Sequence, residues 1–162
     1  MKTAIVYLSY HHKNTEKVAR EMAVVLGADL KKVGTFNTKE LADYDLLGFG
    51  SGIYMGKHHN SLLELVANMP ASNKKAFILS TSGFNIKKPK PGFHKALRTA
   101  LQRKGLEVID EFNCPGYDTY IIVRLLRGGR VLNKGRPNEE DLKKAQIFAK
   151  NLVDKLNSAA VL

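Results

Sequence analysis

A chain of 162 residues with 26 Lys and Arg against 15 Asp and Glu, net charge +11, is long enough to bury a substantial core and fits one domain. No apolar run reaches the roughly 18 residues that span a bilayer, and the N-terminus lacks the basic-then-apolar pattern of a secretory signal, so the expectation is a soluble cytoplasmic protein without a transmembrane segment. A single cysteine, Cys114, excludes an intramolecular disulfide and a cysteine-based zinc site, and its setting reads as the buried end of a strand.

The positive charge implies attraction to anions: phosphates, acidic proteins, nucleic acids or anionic lipid. Basic residues occur along much of the chain, with no aromatic-rich RNA-binding motif, zinc-finger spacing or helix-turn-helix punctuation. A nucleic-acid partner is therefore not expected.

Apolar runs alternate with amphipathic ones. Residues 4–8 read as a buried strand, 15–26 as a helix and 28–33 as a short strand, separated by Gly27 and Gly34. Residues 41–44 close a short helix, and 45–51 form a third strand too apolar to face water on either side. A helix over 58–69 places Leu62, Leu65, Val66 and Met69 on one face. After the break at Pro70-Ala71-Ser72-Asn73, residues 76–80 form a fourth buried strand. A helix over 93–104, with Leu97 and Leu101 inward, stops at Gly105, and 106–112 alternate as an outer strand. The last helix starts after Pro137 with Asn138 as cap and Glu139, Glu140 and Asp141 in its first turn. Its inward residues are Leu142, Ala145, Phe148, Ala149, Leu152, Val153 and Leu156.

Five strands alternating with helices imply an α/β fold: an open five-stranded parallel sheet, order 2-1-3-4-5, helices on both faces. A ligand belongs outside the carboxyl ends of the strands, where the order reverses between the first and third. The first loop there is Ser9-Tyr10-His11-His12-Lys13-Asn14-Thr15. Its hydroxyl, amide and cationic groups sit where a helix presents unpaired N–H groups, which suits a phosphate. The alternative is that Asn14 or Thr15 simply caps the helix. The loop has no glycine and is neither a Walker loop nor a dinucleotide fingerprint.

The second loop runs from Ser51, Gly52, Ile53 and Tyr54 through Met55, Gly56 and Lys57 to His58 and His59. Its glycines allow close backbone approach and Tyr54 offers a flat face. The third begins Ser80-Thr81-Ser82-Gly83-Phe84, and the last strand leads into Cys114-Pro115-Gly116-Tyr117-Asp118-Thr119. A phosphate loop beside glycine-rich loops and aromatic faces describes a pocket for a planar phosphorylated ligand, and FMN fits.

These loops resemble those of the flavodoxin-like family, over essentially the whole chain. The resemblance implies non-covalently bound FMN, with its phosphate at Ser9, His11, His12, Lys13, Asn14 and Thr15. Its ring would lie among Ser51, Gly52, Ile53, Tyr54, Thr81, Ser82, Gly83, Phe84, Gly116, Tyr117 and Asp118. The stretch from Gly52 to His59 looks like the corresponding loop of flavodoxin-type protoporphyrinogen dehydrogenases, which pass electrons to a quinone. Where flavodoxin-like loops usually carry glycine before the Asn-Thr pair, Lys13 stands here, and a φ above zero would strain it. Electron-carrier flavodoxins are typically acidic and often stack a tryptophan on the ring; this chain is basic and has no Trp, so Tyr54 and Tyr117 are the expected substitutes.

The function expected is transfer of electrons to or from a partner protein, for which a basic surface suits an acidic partner. The alternatives are a substrate-oxidising flavoenzyme of the quinone type and a cofactor-free binding module on the same fold. No catalytic acid or base is required, because the cofactor performs the redox chemistry. The apolar segment 120–127 either contacts a membrane surface or hydrophobic substrate, or packs as a core loop. His11, His12, His58, His59 and His94 lack recognisable ligand spacing, so no metal is expected; His58 and His59 read as the start of a solvated helix.

Overall fold

The computed structural model describes residues 1–10, 12–83, 92–119, 128 and 133–159. The first strand, β1 (Thr3–Leu8), is buried along its whole length and has neighbours on both sides. It pairs in parallel with β2 (Asp29–Lys32) from Ala4 opposite Asp29, and with β3 (Leu46–Tyr54) from Thr3 opposite Leu46. β3 then pairs with β5 (Lys75–Ser82), and β5 with β6 (Glu107–Pro115). The order β2-β1-β3-β5-β6 is the expected parallel arrangement. One strand was not foreseen: β4 (Lys57–His58), two residues that fold back antiparallel onto the end of β3.

Helix α1 (Asn14–Leu26) and the last helix, α4 (Glu139–Ala159), share one face of the sheet, where Ile5, Met22, Phe77, Leu79 and Leu152 form one core cluster. Helices α2 (Asn60–Asn68) and α3 (Lys95–Arg103) cover the other face over Val6, Phe49, Leu62, Ile78, Leu97 and Leu101. Successive strand residues point to opposite faces, so the continuous apolar runs of β1, β3 and β5 supply both cores. Full burial of one such side chain contributes about 1.5–3 kcal/mol. Gly48 in β3 makes room for Phe77: a Cβ there would stand 2.4 Å from the Phe77 ring.

Several ends have local causes. Asn37 and Glu40 form a reciprocal capping box that starts a short 3-10 helix, Thr38–Asp43, where the expectation was a helix closing over 41–44. Asn138 caps α4 as expected: its Oδ1 accepts from the Asp141 N–H at 3.1 Å, while Asp141 Oδ2 accepts from the Asn138 N–H at 3.0 Å. Cys114 is 2% exposed near the end of β6, and burial pushes its thiol up to about 12. No helix among the described residues is long and apolar enough to cross a membrane.

The sequence reading ended the third strand at Ser51 and made the rest a loop. Instead β3 continues to Tyr54 and returns through β4, pairing Ile53 with His58 and Tyr54 with Lys57. Met55 and Gly56 take φ of 51° and 83°, the left-handed pair that a tight two-residue hairpin requires. The helix that follows begins at Asn60, two residues later than expected, with the His59 ring as its cap, accepting from the Ser61 N–H at 3.1 Å.

Candidate functional site

The loops after β1, β3, β5 and β6 all leave the carboxyl edge of the sheet; hydrogen bonds join the first, third and fourth, and ring contacts join the first to the second. At the first, Lys13 is the N-cap of α1 with φ 54° and ψ 27°, and His12 before it also has φ 54°. The strained conformation anticipated for a non-glycine residue is present. A left-handed residue followed by a right-handed one turns successive N–H groups into one concavity, an anion-binding nest.

The first helical bond runs from the Lys17 N–H to the Lys13 carbonyl at 2.9 Å, so the preceding N–H groups have no helical acceptor. The capping alternative is overturned: neither Asn14 nor Thr15 caps the helix, because both side chains are drawn inward. Asn14 Nδ2 donates to the Tyr117 carbonyl at 2.8 Å, and the Thr15 and Thr81 Oγ1 atoms share a hydrogen bond of 2.9 Å. Asn14 Oδ1 is buried and has no partner among the described residues.

The other loops close round this point. The Gly116 N–H donates to the Ser82 carbonyl at 2.8 Å, and a Cβ on Gly116 would meet Asn14 Nδ2 at 2.9 Å, so only glycine fits that cradle. His12 Nε2 lies 2.8 Å from Thr119 Oγ1, with its ring 4.3 Å from that of Tyr117. Asp118 lies over Gly83, and Tyr54 folds back over Gly52. Burial, followed by the charges of Tyr10 and Asp118, raises the Tyr54 phenol above its ordinary value and keeps it neutral. His59 packs against both tyrosines, with centroids 5.0 Å from Tyr10 and 5.3 Å from Tyr54.

Of the residues anticipated from sequence, Ser9, Gly52, Ile53, Tyr54, Gly83, Tyr117 and Asp118 are half-buried, His12 and Lys13 are exposed, and Asn14, Thr15, Thr81, Ser82 and Gly116 are buried. Ser51 is fully buried and its hydroxyl is engaged with Gly52, His58 and His59. His11, Phe84 and the apolar segment 120–127 lie outside the described residues. Asn133 was not anticipated. Its Nδ2 donates to the Gly83 carbonyl at 2.8 Å and to that of Gly116 at 3.3 Å, bridging two loops from a left-handed φ of 54°. The Asn133-Lys134-Gly135 stretch was the only hint, and asparagine is the residue type that tolerates this conformation best after glycine.

His58 contradicts its sequence reading as part of a solvated helix. It is 0% exposed. Burial, reinforced by His94, lowers its imidazole well below the ordinary 6.5. His94 is buried beside it, Nδ1 3.0 Å from Glu111 and Nε2 2.7 Å from Ser80 Oγ. Burial outweighs the carboxylate here and lowers His94 too, so the His94–Glu111 contact is a hydrogen bond from a neutral ring.

A flavodoxin-domain family model matches residues 4–119, which include three of these loops and the start of the fourth. The chain belongs to the flavodoxin family. An uncharacterized protein of Methanocaldococcus jannaschii is 49% identical over 153 residues, covering 94% of this chain and 99% of that one. Among solved structures, oxidised flavodoxin 2 from Bacillus cereus aligns with a TM-score of 0.70 at 19% identity, covering 96% of this chain and 99% of that chain. A Fusobacterium nucleatum flavodoxin bound to flavin mononucleotide aligns at 0.64 with 15% identity and the same coverage. These last two likenesses concern the fold.

Proposed function

We propose that this flavodoxin-family chain binds FMN at the carboxyl edge of its sheet and exchanges electrons with a partner. The observation that carries the reading is the nest at His12, Lys13 and Asn14, where strained backbone and an N-terminus free of side-chain caps among the described residues favour an anion. Backbone strain of this kind costs of order 1–3 kcal/mol per residue and persists where a function uses it. The bound flavin would supply the redox chemistry. Asn14, Thr15, Thr81 and Gly116 would hold the phosphate loop against the rest of the site, while Tyr54 and Tyr117 would flank the ring.

Charge distribution supports an anionic partner. Residues 65–106 hold nine Lys and Arg and no Asp or Glu, leaving 17 basic against 15 acidic residues elsewhere. This segment carries β5 and α3, and exposed Lys95 stands at the start of α3, on the edge of the sheet that holds the site. An acidic redox protein suits that surface.

Purified protein should retain added FMN through gel filtration and show flavin absorbance that bleaches on reduction. Protein that remains colourless after FMN is supplied refutes the reading and leaves the cofactor-free binding module. A second reading, oxidation of an apolar substrate with a quinone as acceptor, draws on the exposed Tyr10 and Met55, 59% and 94% accessible beside the site. Turnover with a soluble quinone in the absence of any partner protein would favour it.

A further inference from the structure

The β3–β4 hairpin is held by very little: two paired residues on each strand, an exposed Met55–Gly56 turn, and the imidazole of His58 beneath it. The protons of that anchor can be assigned. The Ser51 hydroxyl has one hydrogen, and giving it to the Gly52 carbonyl at 2.8 Å is the arrangement that leaves no imidazole N–H buried without an acceptor among the described residues. Its oxygen therefore accepts from the His59 N–H at 3.1 Å and from His58 Nδ1 at 2.9 Å. His58 is thus the Nδ1–H tautomer, and its buried Nε2 is a bare lone pair with no partner among the described residues.

Among the described residues no acceptor stands ready for a proton at Nε2. The neighbouring ring is His94, 5.1 Å away between centroids. His94 donates Nδ1–H to Glu111 and accepts at Nε2 from the Ser80 hydroxyl, whose oxygen in turn accepts from Asn113 Nδ2 at 2.7 Å. Glu111 is also taken by Arg98, at 2.6 Å. Among the described residues, the charged and titratable groups around His58 are therefore His94 at the N-cap of α3 and Arg98 within it, Glu111 from β6, Lys57 on its own strand and His59 next in the chain. Glu111, the carboxylate among them, is already doubly engaged.

We infer that His58 is a positioning residue: neutral and buried, it latches the hairpin that carries Tyr54 over Gly52, and its protonation releases the hairpin. A cation buried at this place has no acceptor at Nε2 among the described residues, whereas the open hairpin exposes the ring to solvent. Lifting β4 takes Tyr54 and the His59 cap of α2 with it. The sign follows from the lowered proton affinity in the closed state. The latch is intact above the ordinary imidazole value of about 6.5 and is lost as pH falls below it, open forms gaining up to about tenfold per pH unit. The role of Tyr54 as a ring wall rests on the FMN reading; the release of the hairpin does not.

The test is amide hydrogen exchange of ligand-free protein between pH 7.5 and 4.5, corrected for intrinsic rates. Backbone amides of the paired hairpin residues should lose protection by about tenfold per pH unit below about 6.5 while those of β1 do not. His58→Phe leaves Ser51 satisfied by Gly52 and His59 and should make hairpin protection independent of pH. His58→Asn, which keeps a donor towards Ser51, serves the same purpose if the Phe variant does not fold. Constant protection in the wild type overturns the inference. So does acid loss that persists in the His58 variants, or that is abolished by Glu111→Gln instead. With FMN present, wild-type affinity should fall more steeply with acid than that of His58→Phe. Failure to bind FMN at any pH would refute the cofactor reading and leave the exchange result to decide the latch.

Discussion

Thr15, at the start of α1, and Thr81, near the end of β5, are 66 residues apart and join through a buried hydrogen bond of 2.9 Å between their side-chain oxygens. The bond ties the start of α1, after the loop that follows β1, to β5, two strands away from β1 in the sheet. Thr15→Val or Thr81→Val alone strands the other hydroxyl in a dry place and should cost about 1–3 kcal/mol. The double variant removes both polar groups with little change of shape and should be closer to wild type than the sum of the singles. Urea unfolding of the four proteins as a double-mutant cycle measures this, and strict additivity would show that the bond contributes nothing.

Lys13 occupies a conformation that costs an L-residue about 1–2 kcal/mol. Lys13→Gly should stabilise the protein by about 1 kcal/mol, since glycine relieves the strain and is acceptable at an N-cap. FMN binding should survive, because the nest uses backbone N–H groups. A variant no more stable than wild type in urea would show that the loop holds no strain at this residue.

The alternation of apolar runs and helices made the parallel sheet and its order legible, because buried strands and amphipathic helices have distinct periods. The meeting of four loops at one edge followed from that order. What stayed hidden depended on backbone conformation. Met55 gave no sign of the left-handed turn that makes the hairpin, and histidine is a polar residue whose burial only tertiary contacts reveal, so His58 was read as solvated. Asn14 and Thr15 are good caps by residue type, yet partners on β5 and in the loop after β6 claim both side chains.

Asn133 joins the loops after β5 and β6 through two carbonyls. Asn133→Gly keeps the left-handed conformation and removes both bonds; Asn133→Ala removes the bonds and adds strain. FMN affinity should weaken in both by a similar factor, of order tenfold for about 1.4 kcal/mol. Stability should fall further in the alanine variant, by about 1 kcal/mol. Fluorescence titration with FMN and urea unfolding separate the two effects, and unchanged affinity in the glycine variant would remove Asn133 from the site.

If the proposed FMN binds, the net charge of +11 would bear on its potential. Cationic surroundings favour the anionic reduced form over the neutral oxidised one, and each 1.4 kcal/mol of that preference moves a one-electron potential by about 59 mV. Because much of this charge is exposed, salt screens it; the Debye length falls from about 10 Å at 0.1 M to about 3 Å at 1 M. Reductive titrations at the two ionic strengths should therefore give a lower potential at high salt. Charge reversal at Lys57, exposed on the hairpin, should lower the potential at low salt and reduce the salt dependence. A low potential that ignores salt would mean that stacking and backbone hydrogen bonds, rather than surface charge, set the affinity for the electron.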